Sequence, residues 1–159
     1  MNERSDLADA ARAVTETCLC HRARMAARAV PRGYDLALRE TGLRATQLAV
    51  LAAIAARGAL SIKALADDLG MDRTTLTRNL RPLEDLGYVA IGAEARHRSR
   101  TLALTESGDA ALAAALPRWQ QAQRAMQQRL GARRWPEIGA ALTDLTAGRP
   151  VVQGRRGSA

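Results

Sequence analysis

The chain contains no phenylalanine, and its two tryptophans and two tyrosines bring aromatics to only 3% of 159 residues. A core here must be built from Leu, Ala, Val and Ile, which carry most of the 47% hydrophobic fraction. Leu and Ala are strong helix formers, so a mainly α protein is expected. Lysine is almost absent: Lys63 is the one Lys among 24 basic residues. No apolar run reaches the roughly 18 residues of a membrane span, so no membrane partner is expected. The opening MNERSDLADAAR carries three acids and no apolar stretch, which does not read as a secretory signal. Two cysteines, Cys18 and Cys20, stand at i and i+2, where helical side chains point apart, so an easy mutual disulfide is not expected. A reducing cytoplasm is the expected compartment. There is no glycine-rich phosphate loop, HExxH or GxSxG, and only His21 and His97 are available for proton transfer. No enzyme activity, catalytic residue, metal or cofactor is therefore expected.

What the chain does have is positive charge. Its 24 basic against 16 acidic residues give a net charge of +8. The preference for Arg over Lys reads largely as compositional bias, but the excess of charge itself suggests a polyanionic partner.

The length suits one domain with helical extensions. Leu7, Ala11, Val14, Cys18 and Met25 fall at helical spacing, which predicts a long first helix to about Val30. Pro31 and Gly33 should interrupt it, with a re-entered turn over 34–39. A second helix is expected over Leu43–Arg57, with Thr46 as N-cap and Leu48, Leu51, Ala52 and Ile54 as its stripe. Ser61 should cap a third helix, Gly70 should make the turn, and Asp72 should cap a fourth. The inward side of that fourth helix reads Leu76, Leu80, Leu83 and Leu86, with Gly87 at C′. Residues 88–91 and 101–104 have β character and flank the polar loop 92–100. Thr105 opens a long helix to about Leu130, which Pro117 should kink or split. A final helix is expected over Trp135–Leu145, and the tail 147–159 reads as a flexible basic segment.

Two stretches carry chemistry. The fourth helix would show Arg73, Thr74, Thr75, Thr77, Arg78 and Asn79 outward while its leucines face in. Arg offers paired donors to guanine, and Thr offers a methyl and a hydroxyl. An ordinary amphipathic helix would also have a polar outer face. The loop that follows sharpens the reading: Arg96, His97, Arg98, Ser99 and Arg100 lie between two short strands, a basic hairpin suited to phosphates and a narrow minor groove. Together they form a helix-turn-helix followed by a basic β-wing. Ser61, Lys63 and Arg81 complete the expected DNA-facing set.

In the stretches LRATQLAVLAAIA, LSIKALADDLGMDRTTLTRNLRPLEDLGYV and RTLALTESG, the chain resembles the MarR family of bacterial transcriptional regulators. The resemblance covers nearly the whole chain. It implies a winged helix-turn-helix homodimer, with dimerisation helices at about 6–40 and 105–146 and a DNA-binding winged helix at about 46–104, in a single domain over 1–146. It implies a regulator, most simply a repressor, on a pseudo-palindromic double-stranded operator. It further implies that Arg73, Thr74, Thr75, Thr77 and Arg78 enter the major groove and that Arg98 reaches the minor groove. One departure stands out: the family's wing usually has Asp two residues before that Arg, and here Arg96 stands there.

Control lies outside this unit. The resemblance places an effector cleft between the dimerisation and reading regions, with His21, Met25, Arg28, Tyr34 and Trp119 as candidate lining. Arg28 or His21 would pair with a carboxylate, which suggests an aromatic or phenolic acid. Met25 and Trp119 would equally serve as plain core. A redox alternative rests on Cys20. Organic-hydroperoxide sensors in the same family carry a reactive Cys on the first helix, and Cys20 falls at the similar position, with Arg28 also matching. The usual second Tyr is Arg24 here. Cys18 would be a secondary thiol or a small core residue. A rival outside these readings is a winged helix that binds protein rather than DNA.

Overall fold

The computed structural model describes residues 3–92 and 101–147. The helices are α1 (Glu3–Thr17), α2 (Leu19–Leu38), α3 (Ala45–Arg57), α4 (Ile62–Leu69), α5 (Arg73–Asp85), α6 (Glu106–Leu130) and α7 (Arg134–Thr146). Three short strands, β1 (Leu60–Ser61), β2 (Val89–Ile91) and β3 (Thr101–Leu104), form an antiparallel sheet in the order β1-β3-β2. Leu102 stands opposite both Leu60 and Ile91, so β3 is the centre of the sheet. The result is a mainly α, winged helix-turn-helix architecture. Among the described residues no helix is long and apolar enough to cross a membrane. The expected wing residues Arg96, His97, Arg98, Ser99 and Arg100, and the tail beyond residue 147, lie outside the described residues.

The core is aliphatic throughout. Leu38, Val50, Leu51, Leu65, Leu76, Leu83 and Leu102 are fully enclosed, and no described polar side chain is buried. Each leucine of this set stabilises the fold by about 2–5 kcal/mol relative to Ala, through lost transfer energy plus the cavity left behind. α5 contributes Leu76, Leu80 and Leu83 at spacings of four and three, which turns its remaining positions outward. Leu86 departs from the expected inward pattern and is 53% exposed. The helix has already ended at Asp85, and Tyr88 N–H closes back on the Leu83 carbonyl, so Leu86 swings away from the core side.

Local polar chemistry sets the boundaries. The Ser61 hydroxyl accepts from Ala64 N–H and the Asp72 carboxylate from Thr75 N–H, as their positions before apolar stripes imply. Gly70 takes φ 60° between the two helices, a left-handed conformation that a Cβ disfavours. The N-cap of α3 is Arg44, and Thr46 lies inside the helix. Two acceptors make the earlier start possible: Gln47 Oε1 takes Arg44 N–H and Asp35 Oδ1 takes Ala45 N–H, at 2.8 and 2.7 Å. Neither acceptor is a Ser or Thr, so a Ser/Thr pattern points past Arg44 to Thr46.

The break in the N-terminal helices falls at Cys18, and α2 continues through Pro31. Cys18 has ψ 117°, outside the helical region. The Glu16 carbonyl that loses its helical partner there accepts from Arg22 Nε at 2.9 Å. Beyond Pro31, Tyr34 bonds to Gln123 and Leu38 is fully buried, so packing against α6 holds the turn that a proline would otherwise weaken. Pro117 likewise leaves α6 unsplit, since Leu112 and Ala115 before it and Trp119 after it all belong to the packed core.

α6 is clamped at its first turn to the segment that joins α5 to β2. Thr105 Oγ1 accepts from Gly108 N–H and donates to the Gly87 carbonyl at 2.6 Å, and Ser107 Oγ donates to the same carbonyl. Gly108 lies so close to Tyr88 that an added Cβ would fall 2.0 Å from the Tyr88 carbonyl oxygen.

Candidate nucleic-acid interface and effector cleft

The outward side of α5 gathers Arg73, Thr74, Thr77, Arg78 and Arg81 around one open concavity. Among the described residues three guanidiniums and no carboxylate line it, so its field favours an anion. The three threonines of this turn are not equivalent. Thr75 Oγ1 donates to Asp72 Oδ2 at 2.7 Å, and Thr77 Oγ1 donates to the Arg73 carbonyl at 2.8 Å. Thr74 makes no such internal bond and lines the concavity, whereas Thr75 does not. Asn79 Nδ2 donates back to the Thr75 carbonyl and lies 3.8 Å from Met71 Sδ. The Asp72 carboxyl is held below its usual range, first by the Thr75 hydroxyl and then by Thr75 N–H, both of which bind the charged form. Ser61 and Lys63 stand at the start of α4, with Ser61 partly buried and Lys63 exposed.

A second concavity of about 470 Å³ opens between α2, α3 and α6 and reaches Met71 in the helix-turn-helix turn. Val30, Tyr34, Leu48, Ala52 and Trp119 form much of its wall. The structure brings Tyr34 and Trp119 together in this wall, whereas His21, Met25 and Arg28 are not among its lining residues. Met25 and Arg28 are exposed on α2 and His21 is partly buried near its start. The Tyr34 hydroxyl donates to Gln123 Oε1 at 2.5 Å, and burial raises the phenol above its ordinary range. Met71, Leu48 and Leu116 went unrecognised in the sequence because an apolar residue at helical spacing reads as core. Only their shared edge of an open cleft distinguishes them. Cys18 is partly buried at the helix break and Cys20 is exposed. Among the described residues no cluster of His, Cys, Asp or Glu is disposed to hold a metal.

This arrangement has close counterparts among solved structures. The M. tuberculosis transcriptional regulator MosR shares 35% sequence identity with the chain, covers 84% of it and 96% of its own length, and superposes with a TM-score of 0.74. The chain belongs to the MarR family. A profile of that family matches residues 41–98, from the α2–α3 turn to beyond β2. MosR in complex with DNA matches at 37% identity over 82% of this chain and 94% of its own, with a TM-score of 0.71. BpsR of Bordetella bronchiseptica, whose DNA binding is regulated by 6-hydroxynicotinic acid, matches at 20% identity and a TM-score of 0.75, over 84% of this chain and 96% of its own. That second likeness is one of fold. No curated protein sequence matches the chain. These MarR-family neighbours are transcriptional regulators rather than enzymes.

Proposed function

We propose that the chain is a homodimeric, effector-responsive repressor that binds a pseudo-palindromic double-stranded operator in the cytoplasm. The observation that carries this reading is the Arg73, Thr74, Thr77, Arg78, Arg81 surface on a capped helix. Such a surface fits a major groove, with Arg and Thr at base edges and neighbouring Arg on phosphates. The DNA complex of MosR supports it. Arg96, Arg98 and Arg100 are assigned to the wing contact, and Ser61 and Lys63 to the backbone, from the sequence. Dimerisation is assigned to 6–40 and 105–146, because α1, α2 and α7 leave Leu7, Val14, Leu36 and Leu142 exposed. The effector is assigned to the cleft that holds Tyr34 and Trp119, which adjoins the turn before α5.

The test is anisotropy with duplex DNA from upstream of the chain's own gene, under reducing conditions. Selective binding that falls steeply with salt is expected. Binding equally weak on every duplex, with or without candidate effectors, would favour the protein-binding alternative. A thiol reading keeps one observation in its favour: exposed Cys20 lies two residues from Cys18, where the N-terminal helices part. If that reading holds, Cys20→Ser abolishes DNA release by peroxide.

A further inference from the structure

The cleft between α2, α3 and α6 differs from what its sequence suggests. Among the described residues eleven line it and none is charged. The cations that would meet a carboxylate, Arg28 and His21, are absent from the lining. Its polar groups are few. The Tyr34 hydroxyl is committed to Gln123 on the neighbouring helix, which leaves the Thr46 hydroxyl and the Trp119 indole N–H as the side-chain donors within it. An ionised carboxylate set against this apolar wall would shed part of its water and gain no counter-charge from the described lining, which disfavours it relative to a neutral group of the same shape. The volume, about 470 Å³, is in the range of small-molecule sites.

Resting on the effector reading above, we infer that this cleft takes an uncharged, largely apolar ring compound with at most one neutral hydrogen-bonding group, and discriminates against aromatic acids. Its far wall is Met71, two residues before Arg73, so an occupant touches the chain immediately before the DNA-facing helix. A ligand that binds better when Met71 is displaced shifts α5 away from its DNA-matched position by that difference in affinity.

The test uses two probes with one ring, naphthylmethanol and naphthoate, titrated by calorimetry into the full chain at neutral pH. Naphthylmethanol is expected to bind once per chain, at least about tenfold more tightly than naphthoate, given the cost of an unpaired charge against an apolar wall. Ala49, exposed at the rim of the cleft, allows substitution without disturbing the core. Ala49→Trp should abolish binding of the alcohol, and Ala49→Arg should raise the affinity for naphthoate by supplying the missing cation. Naphthoate binding as well as the alcohol to the unsubstituted chain would overturn the charge selection. Binding of neither probe, or binding indifferent to both Ala49 variants, would overturn the site. Binding of the alcohol as expected with unchanged DNA affinity would uphold the cleft assignment and instead remove the effector role on which it was built.

Discussion

Gly108 occupies a position in which one carbon atom decides whether α6 can start. With the Tyr88 carbonyl 2.0 Å from where a Cβ would stand, Gly108→Ala must push the Tyr88 backbone, just before β2, away from α6. It is expected to cost about 3 kcal/mol, the upper range for overpacking, read as a lowered denaturant midpoint. The threonines of α5 separate by their hydroxyl partners. Thr75→Val removes the bond to Asp72 and should weaken binding alike on all DNA sequences, together with a lower Tm. Thr74→Val should leave Tm nearly unchanged and instead alter base preference in a selection experiment, since its hydroxyl has no partner among the described residues. Asp72 carries a testable pH dependence. Its folded-state carboxyl titrates below its unfolded value, so its stabilisation is complete above the unfolded pKa near about 4 and is lost as pH falls through the folded pKa. Asp72→Asn, which still caps, should flatten the corresponding part of an acid stability profile measured by circular dichroism.

At the scale of elements, α4 and α5 were legible because their signals are local. Ser61, Gly70 and Asp72 each act within one turn, and Leu76, Leu80 and Leu83 repeat at helical spacing. α2 and α6 were read less well because distant contacts decide them. Pro31 and Pro117 look like breaks until Leu38, Gln123 and Trp119 are seen holding the helix beyond each. The cap at Arg44 escapes a local pattern for the same reason, since Asp35, which accepts Ala45 N–H, lies ten residues before Ala45. The outward side of α5 is legible as an Arg/Thr pattern, whereas of the cleft's lining only Tyr34 and Trp119 are. Its apolar majority is indistinguishable from core without coordinates. The α5 surface also predicts two classes of variant. Arg81→Ala, if it loses a phosphate, should weaken every complex and reduce the salt slope by about 1. Arg73→Ala or Arg78→Ala, if a base contact is lost, should cost about 1–3 kcal/mol at particular operator positions.

For the whole molecule, the N-terminal arm raises the question of what covers it. Leu7 and Val14 are 70% and 60% exposed on α1, and Leu142 and Leu145 are exposed on α7. Each such side chain would gain about 1.5–3 kcal/mol on full burial, the driving force on which the proposed pairing of two chains would draw. Tm should therefore rise with protein concentration, as mass action requires for a fold stabilised by association. Val14→Asp combined with Leu142→Asp should yield monomers in sedimentation and lose most operator affinity, because one reading helix alone cannot span two half-sites.

The shortage of aromatic side chains has an optical consequence. With no Phe and only two Trp, the chain has few chromophores, and one of them, Trp119, lies in the wall of the cleft. Replacing Trp135 by Phe leaves Trp119 as the single indole emitter. Its wavelength then reports the polarity of the cleft directly, shifting to the blue as an apolar occupant displaces water.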